Sequence, residues 1–136
     1  MFSTILYGKP VAESIKKKIK IDIDQLLQKG IVPKLVAILI GDDPASTIYV
    51  NSKHRTFKKM NCNSEVCRFS SETSESKIIK YIQELNNDVS VHGILVQLPL
   101  PKHINSKKIL HSLNPTKDVD GFHPNNLGLL LQGNPR

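Results

Sequence analysis

The residues that could carry out acid–base chemistry begin with a stripe of three polar side chains. Ser46, Tyr49 and Lys53 are three and four positions apart, so on a helix a hydroxyl, a phenol and an amine would lie on one face. A lysine beside an aromatic ring could take part in proton transfer or stabilise a developing charge. The same spacing fits an ordinary surface lysine and a packed tyrosine, so it leaves both interpretations open.

A single amide, Gln97, lies inside the otherwise apolar run at residues 93–101. A continuous apolar run suits a strand that is covered on both faces, and Pro99 and Pro101 cannot donate to a sheet, so the strand should end at about Leu98. Gln97 would then lie near the carboxyl end of a central strand, which is the edge where open parallel α/β sheets bind ligands. The alternative is a polar strand-end residue that bonds to a neighbouring loop.

Two carboxylates, Asp118 and Asp120, flank Val119 and precede Gly121. In an extended segment both side chains would point the same way, and Gly121 permits a turn. The carboxylates could accept two hydrogen bonds from an amino-pyrimidine edge, bind a metal ion, or cap a turn. Metal binding is the weakest of these because the histidines are scattered along the chain and do not cluster at ligand spacing.

Helical and strand patterns alternate along the chain and supply the scaffold for these residues. Asp43 is the expected N-cap of the helix that carries Lys53, and Pro44 is its first residue. The alternation predicts an α/β fold with three αβα layers, a mostly parallel sheet and helices on both faces, in one domain of 136 residues. Helices are predicted at about residues 11–29, 44–60, 106–113 and 125–132, with a further helix capped by Thr73, and strands at about residues 35–40, 65–69 and 93–98.

The composition excludes few classes of protein, but it argues against several hypotheses about function. The formal charge of +7 comes mostly from lysines, and the chain has no Trp and only 5% aromatic residues, so the arginine and aromatic readers of nucleic acids are scarce. No apolar run approaches the length of a membrane span, and residues 1–10 lack the pattern of a secretory leader. Cys62 and Cys67 are expected to be free thiols in a reducing compartment, which favours a cytoplasmic location. No phosphate-binding loop of the Gly-x-Gly-x-x-Gly or Walker type occurs in the 136 residues.

Together, three separated segments resemble the signature segments of the bifunctional methylenetetrahydrofolate dehydrogenase and methenyltetrahydrofolate cyclohydrolase family. The resemblance spans essentially the whole chain and implies an amino-terminal folate-binding catalytic domain at residues 1–136. It also implies that the carboxyl-terminal Rossmann domain, which binds NADP, is absent from this chain. The matching segments are residues 41–46 with Tyr49, Val50 and Lys53; residues 93–101 with His92 before them; and residues 117–124 with Asn126 and Gly128.

The activity implied by this resemblance belongs to folate one-carbon metabolism. The full-length enzymes oxidise 5,10-methylenetetrahydrofolate with NADP and hydrolyse the 5,10-methenyl product to 10-formyltetrahydrofolate, in support of purine, methionine and histidine biosynthesis. The resemblance implies a homodimer for the full-length protein and a monomer for this chain. Without a nucleotide-binding fingerprint, the chain is expected to lack dehydrogenase activity and to show weak cyclohydrolase activity at most. The alternative is a non-catalytic module that binds folate or a partner.

Residue roles follow from the resemblance position by position. It implies that Lys53 is the catalytic lysine, that Gln97 positions its amine, that Tyr49 stacks on the substrate ring and that Asp120 holds the pterin. No residue is expected to bind the cofactor or a metal. Three positions depart from the pattern at sites with no proposed catalytic role: Thr47, Asn125 and Leu129. The remaining implied folate contacts are Ser46, Val96, Leu98, Pro99 and Gly121.

Overall fold

The computed structural model describes residues 7–135, which divide into two compact units between Pro33 and Lys34. The first unit contains one helix, α1 (Gly8–Gln28). Its predicted stop is confirmed, because the N–H of Gly30 donates to Leu27 O at 2.9 Å and the N–H of Ile31 donates to Leu26 O at 2.9 Å. These two nested bonds close the last turn in the manner of a Schellman motif.

The second unit is an α/β structure with a parallel sheet, as the alternating pattern predicts. Its three strands run in the order β2-β1-β3, and both strand pairs are parallel. The bounds differ from the predicted ones by a few residues at the ends, where helices and strands fray. The elements are β1 (Lys34–Ile40), α2 (Pro44–Lys59), β2 (Asn63–Phe69), α3 (Glu75–Asn87), β3 (Gly93–Val96), α4 (Ser106–His111) and α5 (Pro124–Leu131).

Helices cover both faces of this sheet, which confirms the three layers. On one face, Val36 and Ile38 of β1 belong to a buried cluster that includes Ile78 of α3 and Ile109 of α4. On the other face, a second cluster joins the sheet to Val50 of α2. Alternate residues of a strand point to opposite faces, so a strand buried on both sides must be apolar throughout. The buried members of the second cluster are Leu35, Ala37, Val50 and Leu95.

The start of the third helix differs from the prediction. Thr73 does not cap α3, because it lies in a turn in which its N–H donates to Ser70 O at 3.0 Å. The helix begins at Glu75 after Ser74, which makes no side-chain capping bond. The carboxylate of Glu75 instead accepts the N–H of Asn105 at 2.7 Å and so connects the start of α3 to the segment before α4. A tertiary contact has replaced the local cap that the sequence favoured.

None of the described helices combines the length and the apolar character that a membrane crossing requires.

Candidate active site

The turn before α2 sets the direction of the helix that carries the polar stripe. The Asp43 side chain accepts the N–H of Ser46 at 2.7 Å, and Pro44 opens the helix, as predicted. This hydrogen bond from the Ser46 backbone, and then the contribution of its side chain, hold the pKa of the Asp43 carboxyl below its ordinary value of 3.8. Because only three residues separate the end of β1 from the start of α2, the helix begins at the carboxyl edge of the sheet.

Lys53 and Tyr49 form a pair on this helix. The ammonium nitrogen Nζ of Lys53 lies 4.4 Å from the centroid of the Tyr49 ring. This distance is within the range of a cation–π contact. The Tyr49 side chain remains 57% exposed, so one surface of its ring is open to a ligand.

Gln97 follows directly after β3, which ends at Val96, two residues earlier than predicted. The N–H of Gln97 still donates to Ile38 O at 2.9 Å, so the residue is held at the carboxyl edge of the sheet. Its Nε2 donates to Leu98 O at 2.8 Å. The group that Gln97 can offer to Lys53 is therefore its oxygen, which suits an ammonium donor. In the sheet formed by residues 7–135, β3 lies at the edge and β1 is central, contrary to the prediction.

The segment before Asp120 runs beside the outer edge of β3. The N–H of Ile94 donates to Lys117 O at 2.7 Å, and the N–H of Val119 donates to Ile94 O at 3.4 Å. The approach is so close that a Cβ on Gly93 would lie 2.6 Å from Val119 Cγ1. These bonds bring Asp120 to the same edge of the sheet as Gln97.

Asp118 and Asp120 make different contacts, although both line a cavity of about 630 Å³. The chain bends after Asp118, and Gly121 adopts a positive φ of 71°. Asp118 accepts hydrogen bonds from Gly121 and His123 N–H groups, so it caps the turn. Asp120 is exposed and lines a cavity. Of the three open interpretations, turn capping applies to Asp118, and ligand binding stays a prediction for Asp120.

The cavity brings together the four residues to which the resemblance gives a direct role. It has a volume of about 290 Å³, at the lower end of the range for ligand pockets, and so suits one planar ring system. A cation, an amide, a carboxylate and two aromatic rings surround it, a combination that fits a flat heterocycle with polar edges. The lining residues are Tyr49, Lys53, Gln97, Leu98, Asp120 and Phe122.

Phe122 is the lining residue to which the sequence interpretation gave no role. Its ring is 42% exposed, although aromatic side chains of this size are usually buried when they serve only the core. The sequence does carry a signal that could have identified this residue, since it is an aromatic residue two positions after Asp120, a candidate ligand-binding carboxylate. Its position adds an apolar wall to the cavity.

Four of the proposed folate contacts lie outside the lining of this cavity. Ser46 is buried, with its N–H used in the capping bond to Asp43, and Val96 is buried in the core. Pro99 is exposed after a cis peptide bond, and Gly121 lines a larger neighbouring cavity of about 630 Å³. Their assignment as folate contacts stays a prediction.

The histidines and cysteines are spread over the scaffold. His92 Nδ1 accepts the Lys34 N–H at 3.1 Å, and His123 Nδ1 accepts the Asn125 N–H at 3.2 Å, so both rings serve the backbone. Both cysteines are free, and burial raises the pKa of the Cys62 thiol. Within residues 7–135, no three His, Cys, Asp or Glu side chains converge as metal ligands would.

Comparison with known proteins identifies relatives of the whole described scaffold. The chain is 45% identical over 131 residues to the bifunctional protein FolD of Oceanobacillus iheyensis and 50% identical over 131 residues to that of Francisella philomiragia. These alignments cover 96% and 93% of this chain but 46% and 45% of the relatives. The chain therefore spans a little under half the length of the curated relatives it matches.

Solved structures of similar proteins identify the same relatives. A bifunctional FolD methylenetetrahydrofolate dehydrogenase/cyclohydrolase from Campylobacter jejuni superposes with a TM-score of 0.91 at 45% identity, over 96% of this chain and 46% of that one. The enzyme from Trypanosoma brucei, solved with NADP cofactor and inhibitor, superposes with a TM-score of 0.88 at 28% identity, over 94% of this chain and 44% of that one. Residues 6–120 match the family described as tetrahydrofolate dehydrogenase/cyclohydrolase, catalytic domain. With most of its length inside that match, the chain belongs to the tetrahydrofolate dehydrogenase/cyclohydrolase catalytic-domain family.

Proposed function

We propose that this chain binds reduced folate and supplies the proton-transfer residues of a methylenetetrahydrofolate dehydrogenase and methenyltetrahydrofolate cyclohydrolase. The observation that carries the proposal is the cavity in which Lys53, Tyr49, Gln97 and Asp120 converge from three separate segments. Each segment reaches the carboxyl edge of the parallel sheet, where α/β folds bind ligands.

The pterin would lie between the carboxylate and the aromatic wall. The ionised Asp120 can accept hydrogen bonds from the amino group and the N3–H of the pterin, which are adjacent donors on one edge of the ring. The exposed surface of Tyr49 offers a flat amphipathic plate for that ring, and Phe122 contributes apolar area. Binding in this orientation would place the one-carbon unit towards Lys53.

In the cyclohydrolase step, water adds to the methenyl carbon of the cationic substrate and loses one proton, which gives a neutral hydroxyl adduct. The five-membered ring then opens as a C–N bond breaks and the released nitrogen is protonated, while the hydroxyl loses its proton to become the formyl carbonyl, so that one proton is released overall. Lys53 would assist this movement of protons, since its amine lines the cavity. Gln97 would fix the amine by accepting a hydrogen bond from it through Oε1. The Tyr49 ring under the ammonium would limit the directions in which the lysine can point.

The NADP-dependent step needs residues that this chain does not contain. Its 136 residues have no phosphate-binding loop of the dinucleotide type, so they do not fit NADP. We propose that NADP is held elsewhere in the full-length protein. The folate site described here would supply the reduced substrate to it.

Folate binding and turnover can be tested separately on the chain. Titration calorimetry with 5,10-methenyltetrahydrofolate or its stable 5-formyl analogue should detect binding, and loss of the methenyl chromophore should report any hydrolysis. Lys53→Ala should abolish hydrolysis, whereas Lys59→Ala, a matched change at the last residue of the same helix, should not. Absence of folate binding by the wild-type chain would refute the proposal. NADPH formation at a native-like rate would refute the absence of a nucleotide site.

The second candidate is a folate-binding module without turnover. It is favoured by the lining of the cavity, whose carboxylate and aromatic side chains can hold a flat ring whether or not turnover follows. Binding in the calorimeter with no loss of the methenyl chromophore would assign this function. We further propose a cytoplasmic location, in keeping with two free cysteines, and a homodimeric full-length protein that serves purine, methionine and histidine biosynthesis.

A further inference from the structure

Asp118 lies at the centre of a turn whose outer residues line the candidate site. Its Oδ1 accepts the Gly121 N–H at 3.2 Å, and its Oδ2 accepts the His123 N–H at 2.8 Å. Oδ2 also accepts Nδ2 of Asn126 at 2.9 Å. Three donors from three positions therefore converge on one carboxylate.

The turn enclosed by these bonds contains two of the six residues that line the 290 Å³ cavity. Asp120 lies just before Gly121, and Phe122 lies between the two backbone donors. On the other side of Asp118, the chain is bonded to Ile94 of β3. The Asp118 side chain thus fixes the geometry of Asp120 and Phe122 relative to the sheet, and hence relative to Gln97.

The hydrogen bond from Asn126 to Asp118 is accompanied by an unfavourable contribution to the free energy of folding. Its Nδ2 donates to both Pro115 O and Asp118 Oδ2 at 2.9 Å. Its Oδ1 is buried and has no hydrogen-bond partner among residues 7–135. A buried acceptor without a partner is unfavourable, so the orientation of the amide is set by the two acceptors that its nitrogen serves.

We propose that Asp118, held by Asn126, is a positioning residue for folate binding. It acts through Asp120 and Phe122, which it places opposite Lys53 and Tyr49, and it does not touch the ligand. The inference rests on the proposed function, since it assigns the purpose of the turn to the folate site. A turn that served only the fold would affect stability and leave affinity unchanged.

The test compares Asp118→Asn with wild type. The groups that contact the Asp118 carboxylate are all hydrogen-bond donors. The amide nitrogen of the variant is itself a donor, so it cannot replace the carboxylate oxygen that accepted from them. Backbone hydrogen exchange at Gly121 and His123 should accelerate without ligand, and the dissociation constant for 5-formyltetrahydrofolate should rise by at least about tenfold. Asp24→Asn on α1 is the charge-matched control and should change neither quantity.

A double-mutant cycle separates positioning from a general loss of structure. If Asp118 acts through Asp120 and Phe122, the double variant Asp118→Asn, Asp120→Asn should lose less affinity than the sum of the two single losses, because both changes affect the same interaction of Asp120 with the ligand. Additive losses of affinity would overturn the proposal. So would unchanged affinity of Asp118→Asn, whether or not the exchange rates at Gly121 and His123 rise.

A milder variant covers the case in which Asp118→Asn does not fold, as judged by circular dichroism. Asn126→Ala removes one donor together with the buried acceptor that lacks a partner, and it should weaken folate binding in the same direction but by less. Wild-type affinity in Asn126→Ala would then overturn the inference. If the wild-type chain does not bind folate, both the proposed function and this inference are refuted. If the wild-type chain binds folate and the variants bind it equally well, only this inference is refuted.

Discussion

The ammonium of Lys53 lies over the ring of Tyr49, with Nζ 4.4 Å from the ring centroid. An aromatic ring attracts a cation through its electron-rich face, and this contact stabilises an exposed pair by about 0.5–1 kcal/mol. The ring would therefore hold the amine and also support the substrate. Both functions belong to the ring and neither requires the phenol oxygen.

Replacing Tyr49 tests this separation of ring from hydroxyl. Tyr49→Phe should keep folate affinity within about twofold of wild type, because the face of the ring is retained. Tyr49→Ala should weaken binding by about tenfold, since stacking and the support of Lys53 are lost together. Calorimetric titration of both variants measures the effect. Equal affinities of Tyr49→Phe and Tyr49→Ala would contradict a stacking role.

Gly93 should be intolerant of even one methyl group. Its added Cβ would lie 2.6 Å from Val119 Cγ1 and 3.3 Å from Leu35 Cδ1, so Gly93→Ala should lower the free energy of unfolding by about 1–3 kcal/mol. Adding Val119→Ala should restore part of that loss because it removes the clashing carbon. Urea unfolding measures both.

The control for this pair is Gly128→Ala, where a Cβ would meet nothing within 4 Å. Gly128 lies within α5, so alanine there should be neutral or stabilising. If Gly93→Ala had the same free energy of unfolding as Gly128→Ala, that result would contradict the close approach of residues 117–119 to β3.

The capping carboxylate of Asp43 gives a pH dependence with a defined sign. Its pKa is lowered in the folded chain by hydrogen bonds from Ser46, so its charge contributes stability above the ordinary value of 3.8. That contribution is lost as the pH falls through the lower folded value. Asp43→Asn keeps an acceptor but no charge, so its deficit in thermal midpoint should be largest at neutral pH and shrink in acid. Asp42→Asn is the neighbouring control, and a deficit that does not change with pH would contradict the prediction.

Tyr81 should resist ionisation in alkali. Its hydroxyl lies 2.9 Å from Cys67 Sγ, and its ring packs edge-on against Phe69 with centroids 5.4 Å apart. Burial first, and then Cys67, raise the pKa of the phenol above its ordinary value of 10. The protonated phenol therefore contributes stability that is complete below pH 10 and is lost as the pH rises through the folded pKa.

Alkaline titration of wild type against Tyr81→Phe isolates this phenol by difference absorbance. The difference spectrum of tyrosinate should appear only above pH 10, together with or after unfolding. Its appearance at the ordinary value in the folded chain would contradict the burial of Tyr81.

The parts of the site that sequence could predict are those determined within one element. Helical spacing and a local cap place Tyr49 and Lys53 on α2, and both predictions are confirmed. The apolar run that ends in prolines locates Gln97 at the end of its strand for similarly local reasons. These signals are local, so they could be read without knowledge of the fold.

The parts that sequence could not predict depend on contacts between distant segments. Asp118 caps a turn whereas Asp120 is exposed beside the cavity, and both positions follow from the pairing of the chain with Ile94, 24 positions before Asp118, and from the bend after it. Thr73 does not cap α3, and the start of that helix is instead tied to Asn105 through Glu75. In both places the structure has a hydrogen bond between segments that are far apart in the sequence, which a local pattern cannot predict.

The pairing of Ile94 with the segment around Asp118 also has a consequence for solubility. Edge strands expose unpaired N–H and C=O groups that can recruit another chain. In the sheet of residues 7–135, β3 is an edge strand, and the segment before Asp120 shields its outer side at Ile94. A substitution that releases this segment would therefore disturb the candidate site and uncover a template for aggregation in the same event.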